Sequence, residues 1–287
     1  PNNLVERPTE SVVSRYWNLV KAWKTRKERT ASANQHIGHY KAIMGHTSLS
    51  WLFFQRAEIP EISGYSPSRH RCCIDLMILK KAMSFDLAKQ RTLGLLDSEF
   101  NHSNKMFQKV AMEAALDNNA IAQEQYSRPS RTCIDHAVNR RLTIDHHQSK
   151  RICLALAMSD LKGCYDRIIH NAAALALLRI GVSKAKIHSM FETIQRMVHR
   201  IRTGFGDATE TYGGDDIMDW EFTPQGVLQG NASGPTIWSV LSSVIFEILH
   251  DKGFGVEFCS TLSKQLFLLV GFSYVDDCDL IQSGEDP

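Results

Sequence analysis

Two adjacent aspartates, Asp276 and Asp277, sit between short apolar stretches: Leu266-Phe267-Leu268-Leu269-Val270 before them and Leu280-Ile281 after them. Apolar runs flanking a polar pair predict a tight hairpin with the acids at its tip. Successive strand residues face opposite ways, so one Asp must bend round the turn to share a site with the other. Two carboxylates that close repel, and loss of water disfavours both charges. A solvated Asp-Asp turn avoids the conflict. A divalent cation also removes it, as oxygen-preferring Mg²⁺ does in phosphoryl-transfer sites. A third acid, Asp160, ends the strand pattern Cys153-Leu154-Ala155-Leu156-Ala157-Met158-Ser159 and is followed by Leu161-Lys162-Gly163-Cys164-Tyr165-Asp166-Arg167-Ile168.

Between these stretches lies Pro224-Gln225-Gly226-Val227-Leu228-Gln229-Gly230-Asn231-Ala232-Ser233-Gly234-Pro235. Gly230 and Gly234 permit close backbone approach, and Pro235 suits the first turn of a helix over 236–250. The order Asp-x-x-x-x-Tyr-Asp, then Gln-Gly with a nearby Pro, then Tyr-x-Asp-Asp resembles motifs A, B and C of reverse transcriptases. It is most similar to those of non-LTR retrotransposons and group II introns. The resemblance covers about 30–285 and is specific in the three motifs.

The resemblance implies an RNA-directed DNA polymerase with an α+β right-hand architecture. Residues 1–29 would be an N-terminal helical extension, 30–150 the fingers, and 151–287 an incomplete palm. The palm sheet would be antiparallel with helices packed on one face, and the thumb would be absent. Asp160, Asp276 and Asp277 would be catalytic and would hold two Mg²⁺ ions, joined by the backbone carbonyl at Leu161. Tyr165 would meet the nucleotide sugar, and Gln229 and Gly230 the template–nucleotide pair. The implied partners are an RNA template, a DNA primer and deoxynucleoside triphosphates. A truncated copy acting only as an RNA-binding module is the alternative, since both ends read as cuts through a longer frame.

The positioning elements follow. Thr9–Arg29 predicts an amphipathic helix with a basic end, and Trp51–Arg56 a short apolar helix. Pro67 opens a predicted helix through Ile74, Met77 and Ile78 to Lys80-Lys81. Lys89–Asp97 alternates as a strand. Lys81 or its neighbour Lys80, together with Arg91, resembles the cations of a fingers hairpin that clamp a triphosphate; an exposed strand edge would carry the same cations as a guard against aggregation. Residues 104–122 and 134–141 predict helices. Glu124-Gln125-Tyr126-Ser127-Arg128 resembles a fingers–palm junction in which Gly is usual at Ser127. Arg128, Arg131, Arg140 and Arg141 are candidate template contacts. Asp166 reads as structural, pairing with Arg167 or capping a helix from Ile168.

Bulk composition agrees with a folded, intracellular chain. It has 287 residues, 43% hydrophobic, enough for a core. Residues 1–150 carry 22 Lys+Arg against 14 Asp+Glu, a balance of +8; residues 151–287 carry 11 against 17, a balance of −6. A basic half suits phosphates and an acidic half suits metal. Seven Cys, none in a Cys-x-x-Cys pair, predict reduced thiols inside a cell. His36, His39, His46, His146 and His147 match no zinc-ligand spacing. No apolar run reaches membrane-spanning length.

Overall fold

The computed structural model describes residues 11–25, 37–80, 86, 90–161, 163–214, 225–260 and 262–284. The fold is mixed α and β. The helices are α1 (Val12–Thr25), α2 (Ile37–Ile43), α3 (Thr47–Ser63), α4 (Ser98–Asp117), α5 (Cys133–Lys150), α6 (His170–Arg179), α7 (Lys184–Gln195) and α8 (Gly234–Asp251). The strands are β1 (Cys72–Leu79), β2 (Gln90–Leu96), β3 (Cys153–Asp160), β4 (Val198–Thr203), β5 (Gly206–Asp207), β6 (Tyr212–Gly213), β7 (Val256–Cys259), β8 (Leu266–Leu269), β9 (Gly271–Tyr274) and β10 (Asp277–Gly284). Lys81 lies outside the described residues.

Three sheets form. A mixed sheet runs β2-β1-β4-β5, with β6 also on β4; β1 and β4 are parallel within it. An antiparallel sheet runs β3-β10-β9, and β7 pairs with β8. The helix expected after Pro67 is therefore corrected. Only a 3-10 turn, Ser68–His70, precedes β1, and the run Cys72–Leu79 pairs on both edges with β2 and β4. That lets Cys73 and Ile74 enter the core.

Helix starts follow their caps. Asp97 accepts hydrogen bonds from the backbone N–H groups of Glu99 and Phe100, so α4 begins at Ser98, not near 104. Thr132 and Asp135 form a capping box that opens α5. The main core gathers β2, α4, α6, α7 and α8 around Phe107, Leu177, Met197, Val227 and Ile237.

The antiparallel sheet has helices behind both faces, not one. On the face of Phe272 and Asp279, α5 supplies Arg140 and His136. Behind the opposite face at β9, the Gln125 amide donates to Ser242 of α8 and to Ser273. The other end of that face, at β3, is open: Ala155, Ala157 and Ser159 are exposed.

Candidate active site

β3 and β10 form an eight-residue antiparallel ladder in which Asp277 is the direct partner of Asp160. Directly opposed residues share a face, with Cβ atoms about 4.5–5.5 Å apart. Asp276 sits in the two-residue turn between β9 and β10, and its carbonyl accepts a hydrogen bond from the Leu161 N–H at 3.3 Å. The sequence placed these three acids together, and the structure does so at one sheet end. All three are exposed. Among the described residues, none is tied into an ion pair or a side-chain hydrogen bond. Their oxygens are not drawn within 4.8 Å of one another as a threesome.

Beneath them lies Cys164. Burial, with the carboxylates of Asp276, Asp166 and Asp160 adding to it, pushes its thiol up to about 12. Tyr165 is half-buried; burial raises its phenol, and Cys164, Asp276 and Tyr274 raise it further. Its ring packs where a Cβ on Gly234 would lie, 3.6 Å away.

The Gln229-Gly230 turn joins the acids to the mixed sheet. The Tyr165 carbonyl accepts from the Val227 N–H at 2.8 Å, and Gln229 Nε2 donates to Asp166 Oδ2 at 3.2 Å. Asp166 thus positions Gln229; among the described residues it neither pairs with Arg167 nor caps α6. On its other side the Gln229 carbonyl accepts from the Gly94 N–H of β2 at 2.7 Å. Gly230, with φ +114°, lies so close that a Cβ there would fall 2.4 Å from the Gly94 carbonyl oxygen and 3.3 Å from Leu93 Cδ1. Arg91 is exposed and two residues from Leu93, so it shares Leu93's face, about 7 Å further along the strand.

Two sequence-predicted positions have local partners. Arg140 is held by the buried Asp279 at 3.1 Å, and Arg141 makes an exposed i,i+4 pair with Asp145 at 2.9 Å. Ser127 does not adopt positive φ. Its hydroxyl donates to Gln125 Oε1 at 2.7 Å, which explains why Gly is not needed there.

The three carboxylates offer hard oxygen donors without competing partners among the described residues, which fits Mg²⁺. A second acidic group, His70, Asp97 and Glu99, is buried. Burial pushes the Glu99 carboxyl up, but His70 and the guanidiniums of Arg69 and Arg56 outweigh it and hold it below the usual range. That group already has its counter-charges and is structural.

No family model and no curated protein matches the chain. Among solved structures it is similar to apo telomerase from Candida tropicalis truncated from its C-terminal domain (14% identity, TM-score 0.49, 77% of this chain and 45% of that one). It is also similar to apo telomerase from the same organism (14%, 0.47, 93% and 48%). Telomerase from Candida albicans in complex with the TWJ fragment of telomeric RNA is a third (14%, 0.44, 75% and 38%). The chain spans less than half the length of these structures. With every such TM-score under 0.5, the functional reading rests on the geometry of the acids and on the motifs.

Proposed function

We propose that this chain is the fingers and palm of an RNA-directed DNA polymerase, related by its motifs to the reverse transcriptases of non-LTR and group II retroelements. Residues 30–150 are the fingers and 151–287 the palm. The observation that carries the reading is the pairing of Asp160 with Asp277 beside Asp276, three carboxylates at one exposed sheet end with no ion-pair partner among the described residues.

Bound there, two Mg²⁺ ions would supply activation of a primer 3′-hydroxyl and charge neutralisation on the leaving pyrophosphate. The residues of the chain do the rest. Asp160 and Asp276 hold the cations, and Asp277 is the lesser ligand. Arg91 pairs with the triphosphate, as does Lys81. Tyr165 lies against the sugar, where its ring bars a 2′-hydroxyl. Gln229, fixed by Asp166, and Gly230, which lets the backbone approach β2, border the template–nucleotide pair.

The test is primer extension on an RNA template by the full-length protein. Asp160→Asn and Asp276→Asn lower extension by at least about 10³-fold, roughly 4 kcal/mol of transition-state stabilisation, with RNA binding retained. Asp277→Asn loses less. Wild-type rates in either of the first two variants would sink the reading. RNA binding without extension by the unmutated protein would reduce it to a binding module.

A further inference from the structure

Away from the aspartates, four side chains converge on one face of the mixed sheet. β1 carries Cys73 and Asp75 two residues apart, hence on the same side. β4 places His199 opposite Cys73, and β6 places Tyr212 opposite His199. Cys73 Sγ is 3.5 Å from Asp75 Oδ1, and His199 Nδ1 is 2.9 Å from Asp75 Oδ2. The Tyr212 hydroxyl donates to Asp75 Oδ2 as well. Cys73 and Asp75 are each 2% exposed. The ligand atoms of Cys73, Asp75 and His199 all lie within 4.8 Å of one another. The Tyr212 ring stacks on His199 with centroids 5.2 Å apart and is half exposed, so one aromatic ring separates the cluster from solvent.

We propose that Cys73, Asp75 and His199 bind one zinc ion, with the fourth position filled by water beneath Tyr212. One sulfur, one imidazole nitrogen and one carboxylate oxygen form a borderline-soft set that selects zinc over magnesium. Bonds of about 2.0 Å to N and O and about 2.3 Å to S give tetrahedral edges of about 3.5 Å between S and O and about 3.3 Å between N and O. Cys73 Sγ lies 3.5 Å from Asp75 Oδ1, the length of the first edge. His199 Nδ1 meets the other oxygen, Oδ2, at 2.9 Å, so a site on a single oxygen requires the Asp75 carboxylate to turn and His199 to adjust with it, the three ligand atoms already lying within 4.8 Å of one another.

Charge also closes. Zn²⁺ with one thiolate and one carboxylate sums to zero, so no net charge is left in the buried site. Binding releases the Cys73 thiol proton to solvent and shifts the His199 proton from Nδ1 to Nε2, leaving Nδ1 as the ligand. Without metal, burial and the neighbouring Asp75 raise the Cys73 thiol, so it stays protonated. Metal-free, the same residues are a hydrogen-bonded patch. Metal-bound, they tie β1 to β4 and brace the β1–β2 hairpin that carries Arg91.

Cobalt(II) titration of the metal-free full-length protein tests this, independently of any polymerase activity. One equivalent of Co²⁺ should bind with tetrahedral visible bands and a thiolate-to-cobalt charge-transfer band, and excess Zn²⁺ should bleach both. Cys73→Ser should abolish the charge-transfer band, while the control Cys72→Ser keeps it. His199→Ala should weaken binding by more than about 100-fold, beyond what loss of an outer partner costs. Zn²⁺ should raise Tm in the unmutated protein and not in Cys73→Ser, whose own fold is checked by circular dichroism. Absence of stoichiometric uptake by the folded protein would overturn the site. So would a charge-transfer band that survives Cys73→Ser.

Discussion

Gly230→Ala tests the joint between the acids and the mixed sheet. The new Cβ would fall 2.4 Å from the Gly94 carbonyl oxygen, on a backbone with φ +114°. A non-glycine residue in that region costs about 1–3 kcal/mol. Backing away from Gly94 stretches the 2.7 Å hydrogen bond from its N–H to the Gln229 carbonyl, which adds about 1 kcal/mol. Together the substitution should destabilise by about 2–4 kcal/mol. At about 2–3 °C per kcal/mol for a chain of this size, Tm drops by roughly 4–12 °C. The matched control is Gly204→Ala, where nothing lies within 4 Å of the added carbon; it should change stability by less than about 0.5 kcal/mol. Because the turn and Arg91 share β2, extension by Gly230→Ala at permissive temperature should show a raised nucleotide KM with template affinity unchanged. A variant that melts and extends like the parent would refute the claim that the turn leans on β2.

Three further outcomes are expected. Arg91→Ala should raise nucleotide KM more than it weakens template binding, since guanidinium pairs with phosphate in a bidentate manner; unchanged KM with weaker, salt-sensitive template affinity would make Arg91 a template contact. Tyr165→Ala should collapse the deoxy-over-ribonucleotide ratio of kcat/KM, chiefly through faster ribonucleotide use, while Tyr165→Phe keeps it; a constant ratio with both rates falling would mark the ring as packing alone. His170, whose Nε2 meets the Gly226 carbonyl at 2.6 Å, has its pKa lowered by burial. The unfolded chain therefore binds the proton more readily; this stability is complete above about pH 6.5 and is lost progressively as pH falls below it toward the lower pKa of the folded state. Urea denaturation between pH 7.5 and 5 should show that slope in the parent protein and a smaller one in His170→Gln.

What was legible in the sequence was whatever a short pattern and a turn decide. Strand alternation and a turn pattern put Asp160 at a strand end and Asp276-Asp277 at a hairpin tip, while the pairing of Asp277 with Asp160 is implied by the motif resemblance and not by local pattern. Cys72–Leu79 is ambiguous because an apolar run broken only at Asp75 does not separate strand from buried helix. Its single acid, Asp75, reads locally as a solvent position, yet His199 and Tyr212, each more than a hundred residues away, hold it in the core. Asp279 gave no local signal either; its partners Arg140 and His136 come from α5. The run of α3 past Arg56 to Ser63 carries Pro60 inside it, a residue that by itself argues for stopping the helix.

The turn that presents Asp276 shows why three distant motifs are needed at once. Of its two central residues, Val275 takes the positive φ, +59°. That arrangement follows a II′-type hairpin, where Gly is favoured at the first position. A β-branched side chain there costs on the order of 1–3 kcal/mol, so the turn persists only if its surroundings impose it. Two bonds do so. The Trp238 indole N–H of α8 donates to the Val275 carbonyl, and the Leu161 N–H donates to the Asp276 carbonyl. Trp238 follows the Gln229-Gly230 turn into its helix, and Leu161 follows Asp160 out of its strand. The stretch around Asp160 and the helix after Gly230 therefore hold the backbone of Asp276 from both sides, and an isolated Tyr-Val-Asp-Asp hairpin would relax out of this shape. The carboxylate placement is a property of the assembled sheet and helix, which is why the motif carries meaning only in company.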